Sequence, residues 1–184
     1  IPAFMVESTG NLSKPPKVET PPPSVSEGIT ASFSQEPVKV DKSLTGKVTD
    51  KNKAKDPPVR ILIADLNIDL PVKEAKVVNG YWEVFPDVAA FGLGSAYPDE
   101  ATGNQVIFAH AREGLFLPLR KAKIGQNVMV FTKDKWYSYK IKEIKEVLPN
   151  QTEVIAPTKD PTLTLYTCSG FSDSKRLIIT AERT

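Results

Sequence analysis

Thr162-Leu163-Thr164-Leu165-Tyr166-Thr167-Cys168-Ser169-Gly170 alternates with a period of two. In an extended chain this puts Leu163, Leu165 and Thr167 on one face and Thr164, Tyr166 and Cys168 on the other. Such a run, ended by Ser-Gly, reads as a strand of an all-β domain. Arg176-Leu177-Ile178-Ile179-Thr180-Ala181 follows after a loop short enough to make the two strands neighbours. Upstream, residues 59–63 and 68–72 read as the first two strands, 81–84 as a short third, and 105–110 as a fourth behind the turn residues Gly103-Asn104. Residues 128–131 and 136–144 are joined by Thr132-Lys133-Asp134-Lys135, a hairpin turn. Pro118 limits a helix over 115–122 to one or two turns. About eight strands without sustained helical amphipathicity predict a closed eight-stranded β-barrel, which leaves no long edge exposed, with short helices or 3-10 turns in its loops.

Residues 1–56 differ in kind. Nine of the sixteen prolines fall by Pro58, among them Pro15-Pro16 and Pro21-Pro22-Pro23. Proline removes backbone donors and fixes φ, so the Pro/Ser/Thr/Lys-rich stretch reads as a disordered linker or stalk ahead of a domain over 57–184. A rival reading folds it back over the domain, with Val38, Val40 and Leu44 as its modest apolar anchors. The opening Ile-Pro-Ala-Phe-Met-Val is too short for a signal peptide's apolar region and lacks its basic flank. No run of about 18 apolar residues occurs to span a bilayer. Net charge is +2, which gives no bulk electrostatic reason to bind nucleic acid or an acidic membrane surface.

The chain has one Cys and one His. That excludes an intrachain disulfide and, without carboxylate ligands, a zinc site of the usual kind. A lone Cys is ordinarily a small buried hydrophobe. Cys168, however, ends its strand, where a thiol sits at the mouth of a sheet. Arg176 opens the next strand, so a guanidinium beside the thiol favours thiolate and offers forked donors to a developing oxyanion. His110 also ends a strand, and only its side chain has an ordinary pKa suited to acid and base work near neutrality.

These elements resemble the sortases. Gly103-Asn104-Gln105-Val106-Ile107-Phe108-Ala109-His110 is similar to that family's GN-x-V-I-x-x-H strand. Leu163 to Cys168 is similar to its T-L-x-T-C strand, and Arg176-Leu177-Ile178-Ile179 to its R-L-x-x strand, in the same order. The resemblance runs over residues 57–184. It departs at Ala109, where many relatives carry Gly, and in a short Cys-to-Arg spacing nearer the pilin-type branches. No proline-aromatic lid motif is evident in the tail, and no acidic calcium site can be mapped, Asp99 and Glu100 being near only in sequence.

The resemblance implies a cysteine transpeptidase with Cys168 as nucleophile, His110 as acid and base, and Arg176 as oxyanion holder, needing no cofactor and no metal. Its partners would be proteins bearing an LPxTG-like C-terminal sorting signal and an amine acceptor such as a cell-wall precursor. Its place would be the extracytoplasmic surface, tethered by a membrane anchor outside this sequence. Thr167 is expected to orient Arg176 or substrate. Val154, Ile155 and Ala156, in the loop over 145–161, are expected to form an apolar wall for the signal. Two alternatives stay open: a β-barrel cysteine peptidase that hydrolyses the same intermediate, and a non-catalytic surface binding module with an inert Cys168.

Overall fold

The expected alternation is that of a barrel wall. In a computed structural model that describes Val40 and residues 56–184, β9 (Thr162–Ser169) turns Leu163 and Leu165 into a core shared by all eight barrel strands, among them Ile107, Leu177, Ile179 and Ala181. Tyr166 points the other way, onto a second apolar cluster outside the barrel built from Trp82, Val106, Phe108 and Ile155. Apart from Val40 and Asp56, the stretch read as a linker lies outside the described residues. Val40 itself is buried in the outer cluster, and its N–H donates to the carbonyl of Gly80 at 2.8 Å.

The remaining strands are β1 (Arg60–Ile63), β2 (Ile68–Ala75), β3 (Val77–Val78), β4 (Tyr81–Trp82), β5 (Ala89–Gly92), β6 (Asn104–Phe108), β7 (Asn127–Phe131), β8 (Trp136–Val147) and β10 (Lys175–Arg183). Eight close the barrel in the order β1-β2-β5-β6-β9-β10-β8-β7. Two pairings, β2 with β5 and β6 with β9, are parallel. Closure removes the sheet edges, as the strand count predicts. Thr132 to Lys135 closes the β7–β8 hairpin, with the Thr132 N–H donating to the Lys135 carbonyl at 2.8 Å. Around Pro118 the chain makes a single 3-10 segment, Leu117–Lys121.

The third barrel strand departs from the expectation. Residues 81–84 do not enter the barrel; Tyr81–Trp82 pairs with Val77–Val78 in a separate hairpin. Asn79 and Gly80 turn it at φ 53° and 83°, the pair of left-handed residues that a tight hairpin requires. The barrel strand is Ala89-Ala90-Phe91-Gly92, buried on both faces, so it shows no alternation to read. Gly92 is needed there, because a Cβ would lie 2.5 Å from the six-membered ring of Trp82. That indole stacks on Phe108 at 5.6 Å between centroids and donates from Nε1 to the Leu93 carbonyl at 2.9 Å, fixing the hairpin to the barrel.

Candidate active site

Strand register brings the three chemistry-bearing residues to one level. In the antiparallel β9–β10 pair, Arg176 lies directly opposite Cys168, so both side chains leave the sheet on the same face. In the parallel β6–β9 pair, Phe108 is level with Tyr166. Two residues further along each chain, His110 comes level with Cys168. The histidine sits just past the end of β6, not within the strand as expected. Its backbone is nonetheless held in line: Ala109 N–H donates to the Tyr166 carbonyl at 3.3 Å, and the His110 carbonyl accepts from Phe116 N–H at 3.0 Å. A third bond comes from Thr167, whose hydroxyl donates to the Ala109 carbonyl at 2.8 Å.

All three side chains are largely withdrawn from water: His110 is 8% exposed, Cys168 7% and Arg176 3%. A buried guanidinium requires acceptors on several of its N–H groups. Arg176 donates from Nε to the Tyr166 hydroxyl at 3.1 Å, and from Nη1 to the carbonyls of Asp173 at 2.6 Å and Lys175 at 3.0 Å. Its three named partners are neutral oxygens, so its charge is not cancelled by them. The loop that supplies the carbonyls is strained: Gly170, Ser172 and Asp173 have φ of 77°, 51° and 56°, and a left-handed non-glycine residue costs roughly 1–2 kcal/mol. Phe171, at the tip of that loop, is 92% exposed.

The β8–β9 loop, from which an apolar wall is expected, forms a 3-10 turn, Thr152–Ile155. Ile155 belongs to the outer cluster, against which Val154 and Tyr166 both pack. Ala156 follows the turn and contributes a carbonyl. Asn104 ties this wall to the barrel: Nδ2 donates to the carbonyls of Val154 and Ala156, each at 3.2 Å, while Oδ1 accepts from the Thr164 hydroxyl at 2.8 Å. Across from it, the β3–β4 hairpin and His110 border a cavity of about 600 Å³ that Trp82, Glu83, Val84 and Pro86 also line.

Sequence reasoning thus missed two working residues. Asn104 enters the sequence reading as a turn residue and as part of the GN-x-V-I-x-x-H resemblance but with no role of its own, although an Asn at a strand start, where it is depleted, is itself a signal. Tyr166 was read only as the outward partner of Cys168. Thr167 is expected to orient Arg176 or substrate; its hydroxyl donates to the Ala109 carbonyl, and the residue is 1% exposed. Among the described residues no cluster of His, Cys, Asp or Glu is arranged to hold a metal ion. A thiol, an imidazole and a guanidinium at one level supply a nucleophile, a proton carrier and an anion holder, the set that acyl transfer through a thioester uses.

Comparison with known proteins points to one family. The family model for the Sortase domain matches residues 61–184. Sortase A of Streptococcus agalactiae serotype III (strain NEM316) is 33% identical over 133 residues, 66% of this chain and 51% of that protein. The chain therefore spans about half the length of this curated relative. The X-ray structure of sortase C from Clostridium perfringens SM101 superposes with a TM-score of 0.60 at 26% identity, covering 70% of each chain. The Group B Streptococcus Pilus Island 1 sortase C2 shares the fold, with a TM-score of 0.63 at 22% identity over 83% of this chain and 89% of that one. A Clostridium perfringens sortase C solved with the C-terminal cell wall sorting motif is 25% identical, with a TM-score of 0.60 over 72% of this chain and 74% of that one.

Proposed function

The chain belongs to the sortase family, and from that premise we propose that it is a cysteine transpeptidase acting on an LPxTG-like sorting signal. The observation that carries this reading is the common level of Cys168, His110 and Arg176 across β6, β9 and β10.

In the first half-reaction the Cys168 thiolate attacks the carbonyl carbon of the signal's threonine, forming a tetrahedral oxyanion held by the Arg176 guanidinium. Collapse breaks the C–N bond, His110 delivers a proton to the departing amine, and a thioacyl-enzyme remains. In the second half an incoming amine attacks the thioester carbon and gives its proton to His110. The C–S bond breaks, the thiolate is restored and a new amide is released. Val154 and Ile155 form an apolar wall beside the floor of β6 and β9, where the signal's Leu-Pro would lie, and Ala156 continues it. Thr167 acts at one remove, holding the backbone that carries His110. The protein partners are those with a C-terminal sorting signal, and the acceptor is an amine such as a cell-wall precursor. We place this chemistry at the extracytoplasmic surface, with the proline-rich stretch ahead of Val40, which itself packs on the outer cluster, as the spacer to a membrane anchor.

The test is incubation with an LPxTG-type peptide, with and without triglycine, followed by mass spectrometry. A peptide–triglycine product that requires both the amine and Cys168, and is absent from Cys168→Ala, is expected. Cleavage at an unchanged rate without any ligated product would favour a hydrolytic peptidase. Failure to form an acyl-enzyme would favour a binding module.

A further inference from the structure

Tyr166 stands where two parts of the molecule meet. Its ring packs against the outer apolar cluster, alongside Val154 of the wall. Its hydroxyl accepts from Nε of Arg176 at 3.1 Å. It lies two residues before Cys168 on the same strand and the same face, roughly 7 Å back along β9. Arg176 pairs with Cys168 by register, yet its Nε contact is with Tyr166 and its Nη1 contacts are with Asp173 and Lys175.

A guanidinium is planar, with five N–H groups in fixed directions. A bond at Nε from one side and bonds at Nη1 from the other therefore fix both its plane and its reach. The two carbonyl bonds come from Arg176's own strained loop and the residue before it. By themselves they would let the group follow the loop. The Tyr166 bond differs because it comes from the nucleophile's strand, and so ties the cation to the thiol's frame of reference.

We infer that Tyr166 is a positioning residue for Arg176, fixing the guanidinium relative to Cys168 through its hydroxyl. Its role is exercised through Arg176. The kinetic consequence rests on the transpeptidase reading, but the positioning itself does not.

Tyr166→Phe keeps the ring in the apolar cluster and removes only the hydroxyl, so two measurements separate the cases. The first is alkylation of Cys168 by iodoacetamide across pH, which needs no sorting peptide. A held cation favours thiolate, so Tyr166→Phe should alkylate more slowly at neutral pH and shift the profile upward. It should add nothing in an Arg176→Gln background. The second is steady-state transfer of an LPxTG-type peptide to triglycine. Tyr166→Phe should lower kcat roughly tenfold, the lower range for a hydrogen bond to a charged group, leave KM within about twofold, and give no further loss in Arg176→Lys. An alkylation profile superposing on wild type, or effects of Tyr166→Phe that multiply in full with those of the Arg176 variants, would overturn the inference. Coupled alkylation profiles in a protein that transfers no peptide would uphold the positioning and sink the transpeptidase reading instead.

Discussion

Asn104→Ala removes the tie between the barrel and the 3-10 turn proposed as the wall of a peptide groove. Asn104 is 4% exposed and makes three hydrogen bonds, two of them as donor to Val154 and Ala156. The two donor bonds are long at 3.2 Å, whereas the bond from Thr164, which is 1% exposed, is short at 2.8 Å. At about 1 kcal/mol for each of the three bonds, the loss is about 3 kcal/mol. For a barrel of about 125 residues that lowers Tm by about 8–15 °C, readable by circular dichroism. The wall is loosened while Cys168, His110 and Arg176 keep their named bonds, so KM for the sorting peptide should rise several-fold with kcat retained. Asn104→Asp adds a sign. Its carboxylate would face two carbonyl oxygens in a buried site, which raises the folded-state pKa of the introduced group above its unfolded value near 4. The variant should then be least impaired below about pH 4 and lose stability as pH rises beyond it. A Tm within about 2 °C of wild type for Asn104→Ala, or a fall in kcat at constant KM, would refute the assignment of Asn104 to the wall.

Arg176→Lys keeps the charge but not the fork, so one ammonium cannot span the oxygens of Tyr166 and Asp173. Transfer should fall roughly a hundredfold or more in a folded protein, and wild-type rates would remove the guanidinium from the mechanism. Gly92→Ala would drive a Cβ to 2.5 Å from the Trp82 ring, so the indole must shift and lose its bond to Leu93; about 2–3 kcal/mol of destabilisation is expected, and an unchanged melting curve would refute the close approach. Tyr139, buried in the barrel with its hydroxyl donating to Gln105 Oε1 at 2.9 Å, has its pKa raised well above the usual tyrosine range, chiefly by burial and against the pull of Arg183. The folded state therefore holds this proton more tightly, and stability is lost as pH rises past about 10, by about 1.4 kcal/mol per unit. Tyr139→Phe should flatten that alkaline limb relative to wild type; parallel limbs for the two proteins would contradict it.

The faces of β9 were legible because its chemistry alternates: Leu163 and Leu165 enter the barrel core while Tyr166 packs on the outer cluster, although the strand is buried along nearly its whole length. Ala89-Ala90-Phe91-Gly92, also buried on both faces, carries no polar residue to mark a side, and Tyr81-Trp82 stands in its place in the sequence reading. Asn79-Gly80 turns the β3–β4 hairpin, but nothing local in it says that the hairpin lies outside the barrel. The site's residue types were readable at strand ends, yet not their partners. Asn104 meets Val154 and Ala156 across 50 and 52 residues of sequence, and Thr167 meets Ala109 across 58. Those separations are bridged only by the parallel pairing of β6 and β9, which no turn signal encodes.

The antiparallel register of β9 and β10 explains why the site is secure although its own residues contribute strain and a buried charge. A slip of β10 by one residue against β9 would carry Arg176 to the opposite face. The same slip would turn Leu177, Ile179 and Ala181, exposed by 6%, 0% and 0%, out of the barrel core. Burying side chains of this kind stabilises by about 1.5–3 kcal/mol each for the larger two, which exceeds the roughly 1–2 kcal/mol stored at a left-handed residue of the loop. The face that reacts is thus selected by the face that does not. Register is enforced from inside the barrel by apolar residues remote from the chemistry, and the loop of Gly170 to Ser174 adopts left-handed conformations because both strand ends are already fixed.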